Sequence, residues 1–191
     1  MATITIFGKG NMGGAIASVF AAGGHSVQHI DTTTENPTVQ GDIVVLAVPY
    51  GALASIAATH KDALTGKVVV DITNPLDPAT FSLAVPADSS AAAELAAALP
   101  GAHVVKAFNT NFGATLASGK VGENRTTVLI AGDDTDAKQT LAQAITAGNT
   151  VDAIDAGPLV RARELEALAY LQITLAATEN VGWTGGFAVV R

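Results

Sequence analysis

The chain contains no cysteine, which excludes disulfides, thiolate nucleophiles and cysteine-ligated zinc together. Charge is sparse as well. Only 14% of the residues are Asp, Glu, Lys or Arg, and the formal net charge of −7 leaves no cationic footprint for nucleic acid. Aromatic residues are 5% of the chain, with a single Trp, so any core has to be built from aliphatic side chains and Ala. Hydrophobic residues reach 49%, yet no apolar run approaches the roughly 20 residues that span a bilayer. Residues 1–7 lack a basic segment and alternate like a strand, so no signal peptide is expected. These absences predict a soluble cytoplasmic protein with no nucleic-acid or membrane partner.

What is present is an alternation. Val- and Ile-rich runs at 3–7, 27–30, 42–48, 67–72, 103–108, 126–131 and 151–154 read as strands. Between them, Ala-rich stretches carry apolar residues at helical spacing: 11–22 stopped by Gly23-Gly24, 51–60, and 91–99 behind a presumed N-cap at Asp88. Asp133 and Asp134 open another helix, and 159–178 is the longest, with Leu165, Leu168, Leu171 and Leu175 on one side. The third and fourth strands are near-continuous apolar runs, as in sheets covered on both faces. The expected fold is therefore α/β: a Rossmann-type, doubly wound, mostly parallel sheet with a short C-terminal helix and tail. Residues 32–41 are too short and polar for a crossover helix and should be a loop. Residues 1–158 are expected to form the dinucleotide-binding domain. Residues 159–191 would be an appended dimerisation or acceptor-site element.

The chemistry centres on Gly8-Lys9-Gly10-Asn11-Met12-Gly13, which leaves the first strand and opens the first helix. In a G-x-G-x-x-G turn the first glycine makes the bend and the second admits a pyrophosphate. The third lets helix and sheet pack closely, and the helix N-terminus faces the phosphates. Asp31 ends the second strand, where a carboxylate binds ribose hydroxyls and disfavours a 2′-phosphate. Lys9, Thr32 and Thr33 argue the other way, so the residues alone leave NAD and NADP open. Ligands in open α/β sheets sit beyond the carboxyl ends of strands. Val48, Pro49 and Tyr50, Asn74 and Pro75, and Ala107, Asn109 and Thr110 should therefore line the cofactor cleft. Lys106 could be a proton donor, a neighbour of phosphate or a solvated strand end. The charged opening of the last helix, Arg161, Arg163, Glu164 and Glu166, reads as solvated. His25, His29, His60 and His103 stand singly, away from metal-ligand spacing, so no metal is expected, and no catalytic residue is assigned.

The ordered series from Phe7 to Gly13, then Ala47-Val48-Pro49-Tyr50, Asp71-Ile72-Thr73-Asn74-Pro75-Leu76, Lys106-Ala107-Phe108-Asn109-Thr110 and Asp155-Ala156-Gly157-Pro158-Leu159, resembles the NADPH:coenzyme F420 oxidoreductases and their relatives. It is also similar to the cytosolic domain of the six-transmembrane metalloreductases. The resemblance implies NADP(H), a homodimer and hydride transfer to a flavin or deazaflavin, with Lys9, Thr32 and Thr33 at the 2′-phosphate. The chain departs from that pattern in having no basic residue between Lys9 and Lys61, and in carrying Asn109 where the family has His.

A small-molecule redox acceptor is thus the expected partner. Two other functions remain open. One is an imine or 3-hydroxyacid reductase of the pyrroline-5-carboxylate reductase type, which requires a larger helical domain than 159–191 offers. The other is a non-catalytic NAD(P)-binding sensor or partner subunit. The apolar tail from Gly182 to Val190, with the only Trp, should meet a second subunit or the acceptor pocket, the former being favoured.

Overall fold

The computed structural model describes residues 1–35, 37–77 and 79–190. In chain order the elements are β1 (Thr3–Phe7), α1 (Asn11–Ala22), β2 (Ser26–Ile30), β3 (Ile43–Leu46), α2 (Leu53–Leu64) and β4 (Val68–Asp71). A small ribbon follows, β5 (Leu76–Asp77) with β6 (Ser82–Leu83), then α3 (Ala91–Ala98), β7 (His103–Lys106) and α4 (Gly113–Ser118). A second ribbon, β8 (Lys120–Val121) with β9 (Asn124–Arg125), leads to β10 (Thr127–Gly132), α5 (Thr135–Thr146), β11 (Asp152–Gly157) and α6 (Ala162–Ala177). Among these residues no helix is long and apolar enough to cross a membrane.

The main sheet has seven strands in the order β11-β10-β7-β4-β3-β1-β2. Successive side chains of a strand point to opposite faces, and β3 shows the consequence. Ile43 and Val45 join Ile16, Phe20, Val105 and Leu141 beneath α1 and α5. Val44 and Leu46 join Leu53, Leu64, Leu95 and Leu99 beneath α2 and α3. The apolar runs are therefore strands covered on both faces, as their composition implies.

β1, β2, β3, β4 and β7 are mutually parallel, whereas β10 is antiparallel to β7 and parallel to β11. A parallel neighbour needs a crossover that returns the chain to the far end of the sheet. After β7 the six-residue α4 and a ribbon do not supply one, and Asn111 Nδ2 donates to Thr127 O at 3.0 Å, tying the turn to the start of β10. The reversal makes β11 run against β1, with Gly157 level with Ala131, Lys106, Asp71, Leu46 and Phe7 across the sheet. Asp155 accepts hydrogen bonds from Lys138 and from Gly157 N.

Local boundaries differ from the sequence pattern in instructive places. Ser90, not Asp88, caps α3, its hydroxyl accepting from Ala93 N. The stretch after β4 holds a short antiparallel ribbon, with Leu76 opposite Leu83. The β2–β3 connection carries no helix over its described residues; the sequence-based loop also includes Asn36, which lies outside them. Buried Thr5 organises this connection. Its hydroxyl donates to Gln28 Oε1 at 2.7 Å and accepts from Gly41 N at 2.8 Å. Gln28 in turn holds Thr38 O and Gln40 N. Thr5→Val keeps the shape but strands Gly41 N without an acceptor, so the variant should lose about 1 to 3 kcal/mol in chemical denaturation. An unchanged midpoint would mean that the loop stands without this bridge.

Candidate functional site

The glycine loop is shaped by close approaches that only hydrogen permits. Gly8 has φ +105°, and a Cβ there would lie 2.2 Å from Ala47 O. Its N–H donates to Ile30 O at 2.7 Å, and its carbonyl meets His29 Nδ1 at 3.0 Å. A Cβ on Gly13 would come within 2.5 Å of Gly8 O, which is why helix α1 packs so closely on the loop. Gly10 is the opposite case: nothing lies within 4 Å of its missing Cβ. That open space sits over the N-terminus of α1, which has no side-chain cap and no acidic residue in its first turn. By contrast, Ser90 caps α3 and Asp134 caps α5. First-turn N–H groups have no partner within a helix, and they favour an anion. The loop therefore fits a pyrophosphate.

Beyond β2, a cleft of about 400 Å³ is lined by Gly8, Asp31, Thr32, Val48, Pro49, Ile56 and His60, among others. Asp31 is already engaged. Lys9 Nζ lies 2.8 Å from Oδ2, while Oδ1 accepts from Thr33 N and from the Thr33 and Thr34 hydroxyls. The Lys9 ammonium, followed by these Thr33 and Thr34 donors, holds the carboxyl well below the usual carboxylate range. Lys9 itself is 56% exposed, so it remains free to turn towards a ligand.

A second cleft of about 430 Å³ opens on the other side of the loop, lined by Asn11, Met12, Ile72, Asn74, Asn109, Asn111, Phe112, Ile173, Gln172 and Trp183, among others. Asn74 Nδ2 donates to Asn109 O, and Asn109 Nδ2 donates to Asn74 Oδ1 and to Leu165 O. These bonds use the amide hydrogens and leave the Oδ1 atoms of Asn109 and Asn111 buried with no partner. Buried acceptors without donors are rare. Trp183 closes one side, its ring centroid 5.0 Å from that of Phe112.

The structure thus puts Gly8, Asp31, Thr32, Val48 and Pro49 on the first cleft, Asn11, Met12, Asn74 and Asn109 on the second, and Lys9 and Gly10 with Asn11 on a third hollow over α1, while Gly13 packs on Gly8 and Thr33 holds Asp31. Other expected positions go elsewhere. Tyr50 turns its hydroxyl to Glu94 Oε2 on α3 at 2.6 Å, and that hydrogen bond pushes its pKa up to about 12. Pro75 is buried, its carbonyl accepting from Ala84 N. Ala107 lies wholly in the core, and the Thr110 carbonyl accepts from Gln172 under the C-terminal tail. The histidines serve locally: His25 accepts from Ala2 N, His60 packs edge-on against Phe7, and His103 pairs with Asp134.

Lys106 is neither a solvated strand end nor a neighbour of the loop. It is fully buried, and its ammonium donates to Asp71 Oδ2 (2.8 Å), Thr73 O (2.5 Å) and Glu166 Oε1 (2.7 Å). Glu166, expected on a solvated helix face, is equally buried and accepts from Ala91 N, the first N–H of α3. Burial pushes the Glu166 pKa upward, against the pull of Lys106. Asp71 Oδ1 accepts from Thr73 N, which fixes the turn leading to Asn74. Sequence reasoning missed Glu166 and Gln172 as interior residues. The available signal was helical spacing with Ala162, Leu165, Ala169 and Ala176, the face of α6 that packs inward.

Lys106→Met leaves two carboxyl groups in the core without their cation, and breaking such a cluster costs about 3 to 5 kcal/mol. The folded-state pKa of Glu166, already raised, rises further, so its folded form is favoured when protonated and loses stability as pH climbs through that value. The deficit against wild type, read by denaturation, should therefore be largest near about pH 7 and shrink towards about pH 5. A deficit independent of pH would contradict this account of the cluster.

Comparison with known proteins agrees with this geometry. Residues 28–75 match the family model described as NADP oxidoreductase, coenzyme F420-dependent. The chain is 33% identical over 140 residues to the F420-dependent NADP reductase of Methanocaldococcus jannaschii, covering 71% of this chain and 62% of the reductase. It is 34% identical over 140 residues to metalloreductase STEAP3 of Rattus norvegicus, covering 72% of this chain but 27% of that protein. The chain therefore spans less than two thirds of either relative. In fold it superposes on a crystal structure from Arthrobacter sp. FB24, described as that of an F420-dependent NADP reductase, with TM-score 0.86, 24% identity and full coverage of both chains. In sequence the chain is thus similar to the NADPH:coenzyme F420 oxidoreductases and their relatives, and it shares their fold.

Proposed function

We propose that the protein is an NADP(H)-dependent oxidoreductase that passes a hydride between nicotinamide and a flavin or deazaflavin. One observation carries this reading: Asn11 and Met12, which head α1 at the uncapped glycine loop, also line the cleft closed by Phe112 and Trp183. A dinucleotide held by its pyrophosphate on the loop would have its nicotinamide end beside an aromatic, amide-lined cavity. The bound dinucleotide supplies the hydride, and the chain's task is to orient two rings and exclude water. The carboxamides that line the cleft suit the nicotinamide carboxamide or the acceptor's ring edge. No side chain has to move a proton, which agrees with Lys106 being locked away from both clefts. Exposed Val160, Leu171, Val189 and Val190 support a second copy of the chain as partner, over residues 159–191.

NADPH oxidation followed with riboflavin, FMN, FAD and F420 tests the reaction class. Turnover with at least one acceptor is expected, and activity with none would favour a non-catalytic binder. Turnover with a cyclic imine alone would favour the imine-reductase reading. Gly10→Val places a branched side chain in the open space over α1, so it should abolish NADPH binding while leaving the circular dichroism spectrum intact. Unchanged affinity by calorimetry would remove the dinucleotide site from the glycine loop.

The preference between dinucleotides turns on Lys9 and Asp31. Asp31 is saturated by Lys9 and the threonines, so it is poorly placed to accept from a ribose hydroxyl, while exposed Lys9 can be shared with a 2′-phosphate. Solvent screening keeps such a contact modest. Lys9→Ala should weaken NADPH binding by about tenfold and leave NADH almost unaffected. Equal losses for both would assign Lys9 to the pyrophosphate instead.

A further inference from the structure

We infer that the acceptor taken by the Phe112–Trp183 cleft is a neutral planar heteroaromatic, bound through its ring alone, and that Trp183 is the residue that selects it. This rests on the oxidoreductase reading above and adds the chemistry of the second substrate.

The lining of the cleft carries the argument. Its polar groups are the carboxamides of Asn11, Asn74, Asn109, Asn111 and Gln172, and among the described residues no charged side chain lines it. Several described cations are committed elsewhere. Lys106 is sealed in the core, Lys138 pairs with Asp155, Arg125 with Asp152 and Arg161 with Glu164. Lys9 is at the other cleft, beside Asp31. An anionic substituent on the acceptor would find no cation among the residues that line the cleft. It would also lie near the phosphates of the dinucleotide, on a chain whose own net charge is −7. The carboxamides, by contrast, match the alternating donors and acceptors of a heteroaromatic ring edge.

Trp183 is held in place by the tail that bears it. Gln172 Nε2 donates to Thr110 O, and Gln172 Oε1 accepts from Phe187 N, so one buried amide ties β7's exit loop to the tail. Gly186, at φ +141°, lets the tail pass, since a Cβ there would lie 2.9 Å from Gln172 Oε1. The Trp183 ring packs on Phe112 and is 55% exposed, which leaves area for a second planar ring. Stacking of this kind tolerates different rings because it needs only a flat π face.

The test compares riboflavin with FMN, which adds only a phosphate. Binding is read from quenching of flavin emission in the presence of saturating NADP⁺, and turnover is read separately from NADPH oxidation. Riboflavin should bind about tenfold more tightly than FMN at low ionic strength, and the gap should narrow as salt screens the phosphate. Trp183→Ala should weaken riboflavin by about tenfold or more while NADP⁺ affinity holds, and Trp183→Phe should restore most of the loss. FMN binding more tightly than riboflavin, or weakening with salt, would overturn the inference while leaving the oxidoreductase reading intact. So would unchanged riboflavin affinity in Trp183→Ala, or no binding of either flavin. Flavin binding without turnover would instead defeat the oxidoreductase reading alone.

Discussion

The ammonium of Lys106 is removed entirely from water, and each of its N–H bonds is met by Asp71, Thr73 or Glu166. An isolated charge in that position would be prohibitively costly, so the carboxylates and the carbonyl have to be where they are. Four elements converge on this point: β4 and β7 through Asp71 and Lys106, α6 through Glu166, and α3 through the N–H of Ala91. The same bonds shape the site above them. Asp71 fixes the turn to Asn74, and Glu166 anchors the helix whose next turns bring Ala169, Gln172 and Ile173 to the cleft wall.

Placed on this frame, the two clefts divide the electrostatic work. The cleft beyond β2 meets charge with charge, through Lys9 and Asp31 and beside the dipole of α1. The Phe112–Trp183 cleft uses amides and aromatic faces instead. A hydride donor that is heavily phosphorylated and an acceptor recognised by its ring would need that separation. Two anions crowded over one glycine loop would repel each other at a distance where screening is incomplete.

Much of this was legible in the sequence because it depends on local rules. The glycine spacing after a strand, the helix of residues 11–22 and the apolar strands follow from backbone sterics and periodicity, which neighbours along the chain already determine. The lack of a crossover helix over the described residues between β2 and β3 was legible too, since residues 32–41 hold too few apolar positions to cover a sheet. The family likeness was legible because its motifs recur in order over most of the chain.

Tertiary structure decided what depends on who meets whom across the chain. Lys106, Asp71 and Glu166 are ordinary charged residues in sequence, and only their convergence makes them interior. Tyr50 follows a strand in the manner of a cofactor contact, yet Glu94, forty-four residues on, draws its hydroxyl away. The direction of β10 turned on how the chain leaves Phe108, whose φ of 62° no periodicity announces. Trp183 lies far from the glycine loop in sequence and reaches the cleft because Gln172 holds the tail beneath it. Composition and spacing determined that a dinucleotide fold would form here. Long-range pairing of polar groups, which the burial of charge makes compulsory, decided the shape of its second cleft.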